Sequence, residues 1–277
     1  MKKILVSLIL LFITSFSIGD TALSSYSSIG SLNTLHLGWA GKDNSKLAKV
    51  ISSFDLISLQ EVMTEHGIKQ VEKEVEKITG KDWGYLLSPY SVGEGTYKEY
   101  YGFMWKKEKV KLLKDLGFYP EKNKNDFIRE PFGATFKIDN IDITLVTCHL
   151  VYGDSIKERR SEADKLYDVY NYFQNINNEE QDVIILGDFN LKGTDKSFFR
   201  LKSIDQIRNI FYDHMKTTLN KEGKLVSAYD NIFVSKYTTE KEIETNFVLY
   251  QHPLHEYRKI SDHLPVGIIM NTSSDDD

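Results

Sequence analysis

Cysteine is almost absent from this chain, because Cys148 is the only one in 277 residues. A single cysteine excludes an intramolecular disulfide, so the fold must rely on its hydrophobic core, which a chain of this length can supply. Cys148 lies in the alternating apolar run TLVTCHL, and this pattern predicts a buried, unreactive side chain. The alternative is a nucleophilic thiol, because His149 follows it directly.

The sequence also lacks an excess of positive charge. Lys and Arg total 35 against 40 Asp and Glu, which gives a formal net charge of −5 at pH 7. Non-specific nucleic-acid binding normally depends on Lys and Arg that neutralise phosphates, so this composition argues against it. An enzyme that brings cations to its site remains compatible with the charge.

Linkers rich in Pro or Gly/Ser, low-complexity segments and fixed-period repeats are lacking too, which predicts one domain over residues 20–277. A long apolar run occurs only near the start, where Lys2 and Lys3 precede residues 4–13. That run is shorter than the roughly 20 residues of a membrane-spanning helix. We therefore expect residues 1–19 to be a secretory signal peptide, cleaved near Gly19 or Ala22. The mature protein would then be secreted or periplasmic, without stable membrane association.

Hydrophobic spacing predicts a mixed α/β fold. Apolar residues at helical intervals indicate three helices, over residues 47–54, over residues 68–78 and over residues 163–173. Strand patterns alternate with the early helices and then follow one another later in the chain. This order fits a mixed architecture better than a doubly wound parallel sheet.

Several apolar strands end in polar residues that can bind metal or move protons. In VIILGDFN, Asp188 and Asn190 are two positions apart, so an extended chain points both side chains the same way. Singly, such residues are more often solvated strand ends, turn residues or core histidines. Because ligand sites collect at strand ends, their joint occurrence predicts one convergent site. The strand-end residues are Asn33, Glu61, His149, Asp188, Asn190, Asp262 and His263.

An ordered series of motifs resembles the endonuclease/exonuclease/phosphatase superfamily. The series is SLNTL, LISLQEV, REPFGATF, TCHL, LGDFN, AYDNIFVS and ISDHLPV, and TYKEYYGFMW and ADKLYDVY are most similar to the deoxyribonuclease I family. The resemblance implies an α/β four-layer sandwich, with two mixed β-sheets packed face to face and helices on the outer faces. It also implies an endonuclease that depends on a divalent metal and hydrolyses DNA phosphodiester bonds with low sequence specificity. We expect the protein to be a monomer with DNA as its substrate.

The residue types fit phosphodiester hydrolysis independently of the resemblance. Mg²⁺ favours carboxylate and amide oxygens, so Glu61, supported by Asn33 and Asp262, is the predicted metal site. Mn²⁺ is an alternative ion, and Ca²⁺ is a further structural or activating candidate. Imidazole titrates near neutral pH, so His149 and His263 are the predicted acid and base, in an order that the sequence leaves open.

The resemblance implies a carboxylate partner for each histidine. Glu99 would pair with His149, and Asp230 would pair with His263. Each carboxylate would fix the tautomer of its imidazole and sustain its positive charge.

The resemblance also implies the residues that contact the substrate. Asp188 and Asn190 would orient the attacking water and the scissile phosphate. Arg129 would clamp phosphoryl oxygens, with a surface ion pair to Glu130 as the alternative. Tyr97 would pack against a substrate sugar, or else simply pack among neighbouring aromatic residues.

The chain departs from the pancreatic-type pattern at Met63, where those enzymes carry an arginine that enters the minor groove. This departure puts groove-based DNA binding in doubt. Other readings are a sphingomyelinase or inositol phosphatase on the same scaffold, a nuclease subunit of a multi-chain toxin, and an inactive binding module. No role is predicted for the remaining histidines, which are His36, His66, His214, His252 and His255.

Overall fold

The computed structural model of the chain describes residues 26–123, 125–176, 182–204, 206–236, 239–250 and 253–274. The expected signal peptide lies outside these described residues. Within them, no helix combines the length and the apolar character needed to cross a bilayer.

Twelve strands and five α-helices make up the described part of the chain. The strands are β1 (Tyr26–Leu37), β2 (Leu56–Val62), β3 (Trp83–Leu87), β4 (Tyr100–Lys106), β5 (Val110–Phe118), β6 (Phe132–Ile138), β7 (Ile141–His149), β8 (Val183–Asp188), β9 (Arg208–Asn209), β10 (Asp230–Val234), β11 (Ile243–Val248) and β12 (Val266–Asn271). The helices are α1 (Asn44–Ile51), α2 (Glu65–Thr79), α3 (Ile156–Ile176), α4 (Phe199–Lys202) and α5 (Leu254–Tyr257). Short 3-10 turns cover Lys196–Phe198 and Thr239–Glu242.

The strands form two six-stranded sheets. Sheet 1 has the order β11-β12-β1-β2-β4-β3, and sheet 2 has the order β5-β6-β7-β8-β10-β9. One pair in each sheet is parallel, β1 with β2 and β7 with β8, whereas the other pairs are antiparallel. Both sheets are therefore mixed, as the resemblance implied.

Three layers of buried apolar side chains hold the sheets and helices together. The central layer joins the inner faces of the two sheets and includes Phe103 of sheet 1 and Phe132 of sheet 2, with ring centroids 6.0 Å apart. A second layer lies between sheet 1 and helices α1 and α2, and a third lies between sheet 2 and helices α3 and α4. This arrangement confirms the four-layer sandwich, with the sheets face to face and the helices outside.

Local sequence signals begin and end the helices. The Asp43 carboxylate accepts a hydrogen bond from the Lys46 N–H at 3.0 Å and caps α1. Gly80 ends α2 in the left-handed region with φ of 65°. Ser155 at the start of α3 accepts a hydrogen bond from the Glu158 N–H at 3.3 Å.

Cys148 is fully buried in β7, as its apolar pattern predicted. Burial raises the pKa of its thiol well above the usual range, so the side chain stays protonated. A protonated thiol without exposure to solvent cannot act as the nucleophile.

Candidate active site

Strand register gathers the polar strand ends at one end of the two sheets. In sheet 2, His149 is paired with Asp188, and Asp188 is paired with Asp230, so three predicted site residues lie side by side. In sheet 1, Asn33 lies opposite Gln60, directly before Glu61. The Asn33 side-chain amide then crosses between the sheets and donates to Asp188 Oδ2 at 3.2 Å.

Gly187 explains how β7 and β8 come close enough to place His149 beside Asp188. Its φ is 147°, and a Cβ at this position would lie only 1.9 Å from the carbonyl oxygen of Cys148. Any other residue would push the strands apart. The glycine of the LGDFN motif is therefore a steric requirement of the site.

His149 and Glu99 form the first imidazole–carboxylate pair. His149 Nδ1 lies 2.8 Å from Glu99 Oε1 and 3.0 Å from Oε2, and both side chains are buried. Burial and Arg129 each lower the pKa of His149, but Glu99 and Asp188 outweigh them, and the pKa is raised. Burial raises the pKa of Glu99, yet His149 and Arg129 reverse this and hold it below its usual value.

His263 and Asp230 form the second pair with the same geometry. His263 Nδ1 lies 2.9 Å and 3.0 Å from the two carboxylate oxygens of Asp230, which is fully buried. Burial lowers the pKa of His263, but Asp230 and Asp188 raise it well above its usual value.

Asp188 is shared between the two pairs. Its Oδ2 lies 3.5 Å from His149 Nε2 and also 3.5 Å from His263 Nε2. Burial raises the pKa of Asp188, but the two imidazoles more than compensate and lower it. Asn190 holds the other oxygen in place, because its backbone N–H donates to Asp188 Oδ1 at 2.9 Å.

Glu61 stands at an irregularity where the register of β2 shifts against both β1 and β4. Its φ of 56° is in the left-handed region, which is uncommon for a glutamate and is typical of residues held by a functional site. Asn33 Nδ2 donates to Glu61 Oε1 at 2.9 Å, which links Glu61 through Asn33 to Asp188.

The donor set fits a hard divalent cation. Four carboxylates meet here with little exposure, and the side-chain amide of Asn33 lies between two of them. Oxygen donors that retain negative charge suit Mg²⁺ and similar ions. Asp188, Asp230 and His263 also bring donor atoms within 4.8 Å of one another. The four carboxylates are Glu61, Glu99, Asp188 and Asp230.

Arg129 is buried, not paired at the surface with Glu130. It is 7% exposed, and its guanidinium donates to the carbonyl oxygens of His149 at 3.0 Å and Leu150 at 3.3 Å. Arg129 Nε is also 3.8 Å from Glu99 Oε2. The side chain therefore fixes the backbone that carries His149.

Tyr97 lies beside the Glu61 end of the site, whereas Asp262 pairs with Arg258. Burial, followed by the negative charges of the nearby Glu61 and Glu99, raises the pKa of the Tyr97 phenol. The Asp262 carboxylate is 3.6 Å from Arg258 Nη1. Among the described residues, no hydrogen bond joins the Asp262 side chain to Glu61 or Asn33.

Two residues at the site have no predicted role from the sequence, namely His36 and Glu162. His36 Nε2 is 3.3 Å from Glu61 Oε2, although no sequence pattern singled it out. Glu162 accepts hydrogen bonds from the backbone N–H groups of Ile128 at 2.7 Å and Val151 at 2.6 Å. A sequence signal exists for Glu162, because it is a charged residue on the buried stripe of α3.

Comparisons with known proteins agree with the family resemblance and the fold. A protein named deoxyribonuclease from Thioalkalivibrio sp. (strain K90mix) is 27% identical over 277 residues, covering 95% of this chain and 74% of that protein. Deoxyribonuclease-1-like 1 of Mus musculus is 28% identical over 243 residues, covering 82% of this chain and 74% of that protein. A solved structure of an endonuclease/exonuclease/phosphatase family protein from Bacteroides thetaiotaomicron superposes with a TM-score of 0.64. It covers 88% of this chain and 97% of its own at 18% identity, which shows the shared fold.

The sequence model of one family spans most of the chain. The family is described as the Endonuclease/Exonuclease/phosphatase family, and the match runs over residues 30–263. The chain therefore belongs to the endonuclease/exonuclease/phosphatase family. Its similarity to proteins named deoxyribonuclease indicates a hydrolase of phosphodiester bonds.

Proposed function

We propose that this protein is an exported endonuclease that depends on a divalent metal and cuts DNA with low sequence specificity. One observation carries the proposal: two buried histidine–carboxylate pairs direct both Nε2 atoms to the same oxygen, Asp188 Oδ2, at 3.5 Å. A hydrolytic reaction at phosphorus needs one group that accepts a proton and another that donates one, on opposite sides of the reacting centre.

The carboxylates on Nδ1 determine what each histidine does. Glu99 and Asp230 hold the Nδ1 protons, so each Nε2 is the atom that exchanges a proton with substrate or water. One neutral imidazole takes a proton from the attacking water, and the other, as imidazolium, gives a proton to the leaving oxygen. Asp188 and Asn190 orient the water and the scissile phosphate between them.

Glu61 and Asn33 would hold the metal in this proposal, with Asp262 as a third candidate ligand. When bound, a divalent cation supplies positive charge that stabilises the phosphoryl oxygens in the transition state. Mg²⁺ is the ion that these oxygen donors favour, Mn²⁺ is the alternative, and Ca²⁺ is a further structural or activating candidate. Asp262 would have to leave Arg258 to take part.

Arg129 and Tyr97 would position the substrate. Arg129 fixes the backbone of His149 and Leu150 and adds positive charge next to the phosphate. Tyr97 would pack against a sugar from its place beside Glu61. Relatives named deoxyribonuclease support DNA as the substrate.

Nicking of supercoiled plasmid by the purified chain from residue 20 onward tests the proposal. We expect relaxation of the plasmid with Mg²⁺, none after chelation, and recovery when Mg²⁺ is added back. Glu61→Gln should raise the Mg²⁺ concentration needed, whereas Glu65→Gln, on the exposed side of the neighbouring helix, should not.

The same preparation should be assayed on sphingomyelin and on inositol phosphates. Metal-dependent hydrolysis of sphingomyelin or of an inositol phosphate, without any plasmid nicking, would overturn DNA as the substrate. It would favour a sphingomyelinase or an inositol phosphatase instead. Export is tested separately by determining the N-terminal residue of protein recovered from culture medium or periplasm, where we expect cleavage near Gly19 or Ala22.

A further inference from the structure

An aromatic stack stands at the rim of the site, and the reaction proposed above does not use it. The imidazole of His36 and the indole of Trp39 are stacked with ring centroids 4.1 Å apart and an interplanar angle of 25°. The Tyr97 ring meets both edge-on, with centroids 5.6 Å from His36 and 6.5 Å from Trp39. Trp39 is 50% exposed, so a ligand can reach part of its indole.

The stack is connected directly to the metal-binding end of the site. Glu61 Oε2 accepts a hydrogen bond from the His36 N–H at 3.1 Å and lies 3.3 Å from His36 Nε2. From Glu61 the contacts continue through Asn33 to Asp188. Whatever binds on Trp39 therefore adjoins the phosphate that would be cleaved.

The backbone beneath the stack is held rigidly. His36 has a φ of 64°, and its carbonyl oxygen accepts a hydrogen bond from the Trp39 N–H at 3.1 Å. Gly38, with φ of 102°, packs so closely on the start of α2 that a Cβ on Gly67 would lie 2.7 Å from its Cα. A side chain presented by such a constrained turn loses little further entropy when it binds a flat ligand.

Charge argues for a neutral, planar ligand at this place. The stack is built from an imidazole and a half-exposed indole, and neither ring carries a permanent positive charge that would attract a phosphate. Stacking of a base on an aromatic ring depends on the π-face and not on charge. Bases in a duplex already stack on one another, whereas unpaired bases expose a face to the protein.

We infer that the His36–Trp39 stack binds an unpaired base next to the scissile phosphate, so that single-stranded DNA is the preferred substrate. This inference rests on the proposed function, because it names the strand form that the same site would cut. Tyr97 would take the sugar and Trp39 the base of one nucleotide.

The test compares cleavage of a single-stranded oligonucleotide with cleavage of the same sequence as a duplex. Trp39→Ala should lower kcat/KM on the single strand by roughly 10-fold and leave the duplex rate nearly unchanged, whereas Trp39→Phe should keep most activity. Tyr26→Ala is a matched control, because Tyr26 is 53% exposed and begins β1, at the other end of the strand from His36. Equal losses on both substrates, or no loss on either, would overturn the inference.

An abasic oligonucleotide separates stacking from a general structural role of Trp39. Removing the bases that flank the cleavage site should slow the wild type by about the same factor as Trp39→Ala, roughly 10-fold. The variant should lose nothing further on the abasic strand, because the interaction is already gone. Independent, multiplying losses would contradict a contact between Trp39 and a base.

Fluorescence distinguishes failure of this inference from failure of the proposed function. Trp39 is the exposed tryptophan, whereas Trp83 is fully buried and Trp105 is 7% exposed. In a His149→Ala, His263→Ala double variant, a single strand should quench the emission and a duplex should not. An inactive wild type with this quench would overturn only the nuclease proposal. Absence of the quench, or an equal quench by duplex, would overturn the stacking site.

Discussion

The two histidine–carboxylate pairs have the same geometry, but the sheet that supplies the histidine in one pair supplies the carboxylate in the other. His149 ends β7 of sheet 2, and its partner Glu99 directly precedes β4 of sheet 1. Asp230 begins β10 of sheet 2, and its partner His263 lies shortly before β12 of sheet 1. Each pair therefore joins the two sheets, and correct packing of one sheet on the other is a condition for assembling either pair.

The pairs differ in the charge that surrounds them. Burial lowers the pKa of both imidazoles, but Arg129 lowers that of His149 further, whereas the carboxylate of Asp262 helps to raise that of His263. The pKa of His263 is consequently raised well above its usual value, whereas the pKa of His149 is raised by a smaller amount. The two pairs have equal hydrogen-bond geometry but unequal proton affinity, because the charged residues beyond each partner carboxylate differ.

The largest expected effect is loss of either imidazole. His149→Ala and His263→Ala should each reduce kcat for plasmid nicking by roughly 10²- to 10⁴-fold, because each removes one proton transfer. The double variant should lose little more than the worse single one, since both act in the same step. His214→Ala, at an exposed position, is the control. Near-wild-type turnover in either single variant, with an unchanged circular dichroism spectrum, would contradict the proposal that both histidines transfer a proton.

Glu99→Gln should reduce kcat by roughly 10²-fold, because an uncharged amide orients His149 without stabilising its imidazolium. Since Glu99 raises the pKa of His149, its replacement lowers that pKa, and the acidic limb or the basic limb of the pH–rate profile should move to lower pH. The limb that moves tells whether His149 is the base or the acid. Glu94→Gln, at an exposed position of the same loop, should move neither limb.

Arg129→Met should change the pKa of His149 in the opposite direction to Glu99→Gln. Arg129 lowers the pKa of His149, so its removal should raise that pKa, which imidazole NMR titration of the metal-free protein can follow. Loss of hydrogen bonds to two buried carbonyls should also reduce the free energy of unfolding by about 2–4 kcal/mol. Arg200→Met, which removes an exposed ion pair with Asp164, should cost about 0–1 kcal/mol. A lowered His149 pKa in Arg129→Met would contradict the explanation of the difference between the pairs.

The smallest effect is expected from Glu162→Gln on the His149 side of the site. The carboxylate accepts from two backbone N–H groups, and a glutamine can present only one acceptor oxygen to them. We expect a loss of about 1–2 kcal/mol in the free energy of unfolding, seen in urea denaturation. Glu65→Gln at the surface should be neutral by comparison. A stability equal to wild type would show that Glu162 does not support the Arg129 and His149 segments.

Much of the fold could be predicted from the sequence because its signals are local. The apolar spacing over residues 68–78 and 163–173 predicted helices that lie within α2 and α3. Strand β5 was not predicted from its pattern, because it is an edge strand with exposed Lys and Asp side chains and no clean alternation. Residues at positions 1–19, with the expected signal peptide, remain a prediction from composition.

The site was predictable in its residue types and less so in its connections. Strand-end carboxylates, amides and histidines marked a convergent site, but Glu99 and His149 are 50 positions apart, and only the family resemblance suggested their pairing. The position of His36 at the site was not predictable. Its contact with Glu61 depends on a left-handed backbone turn that no sequence pattern indicated.

Residue type and spacing were enough to predict which side chains end the strands, where the main helices form and which family the chain resembles. These properties follow from spacing and residue type along short segments. Tertiary structure alone decided that Asp188 lies 3.5 Å from both Nε2 atoms, that Arg129 faces backbone carbonyls and that Trp39 rests on His36. The physical reason is that these contacts join two sheets, and the register and packing that bring them together are set by the whole core.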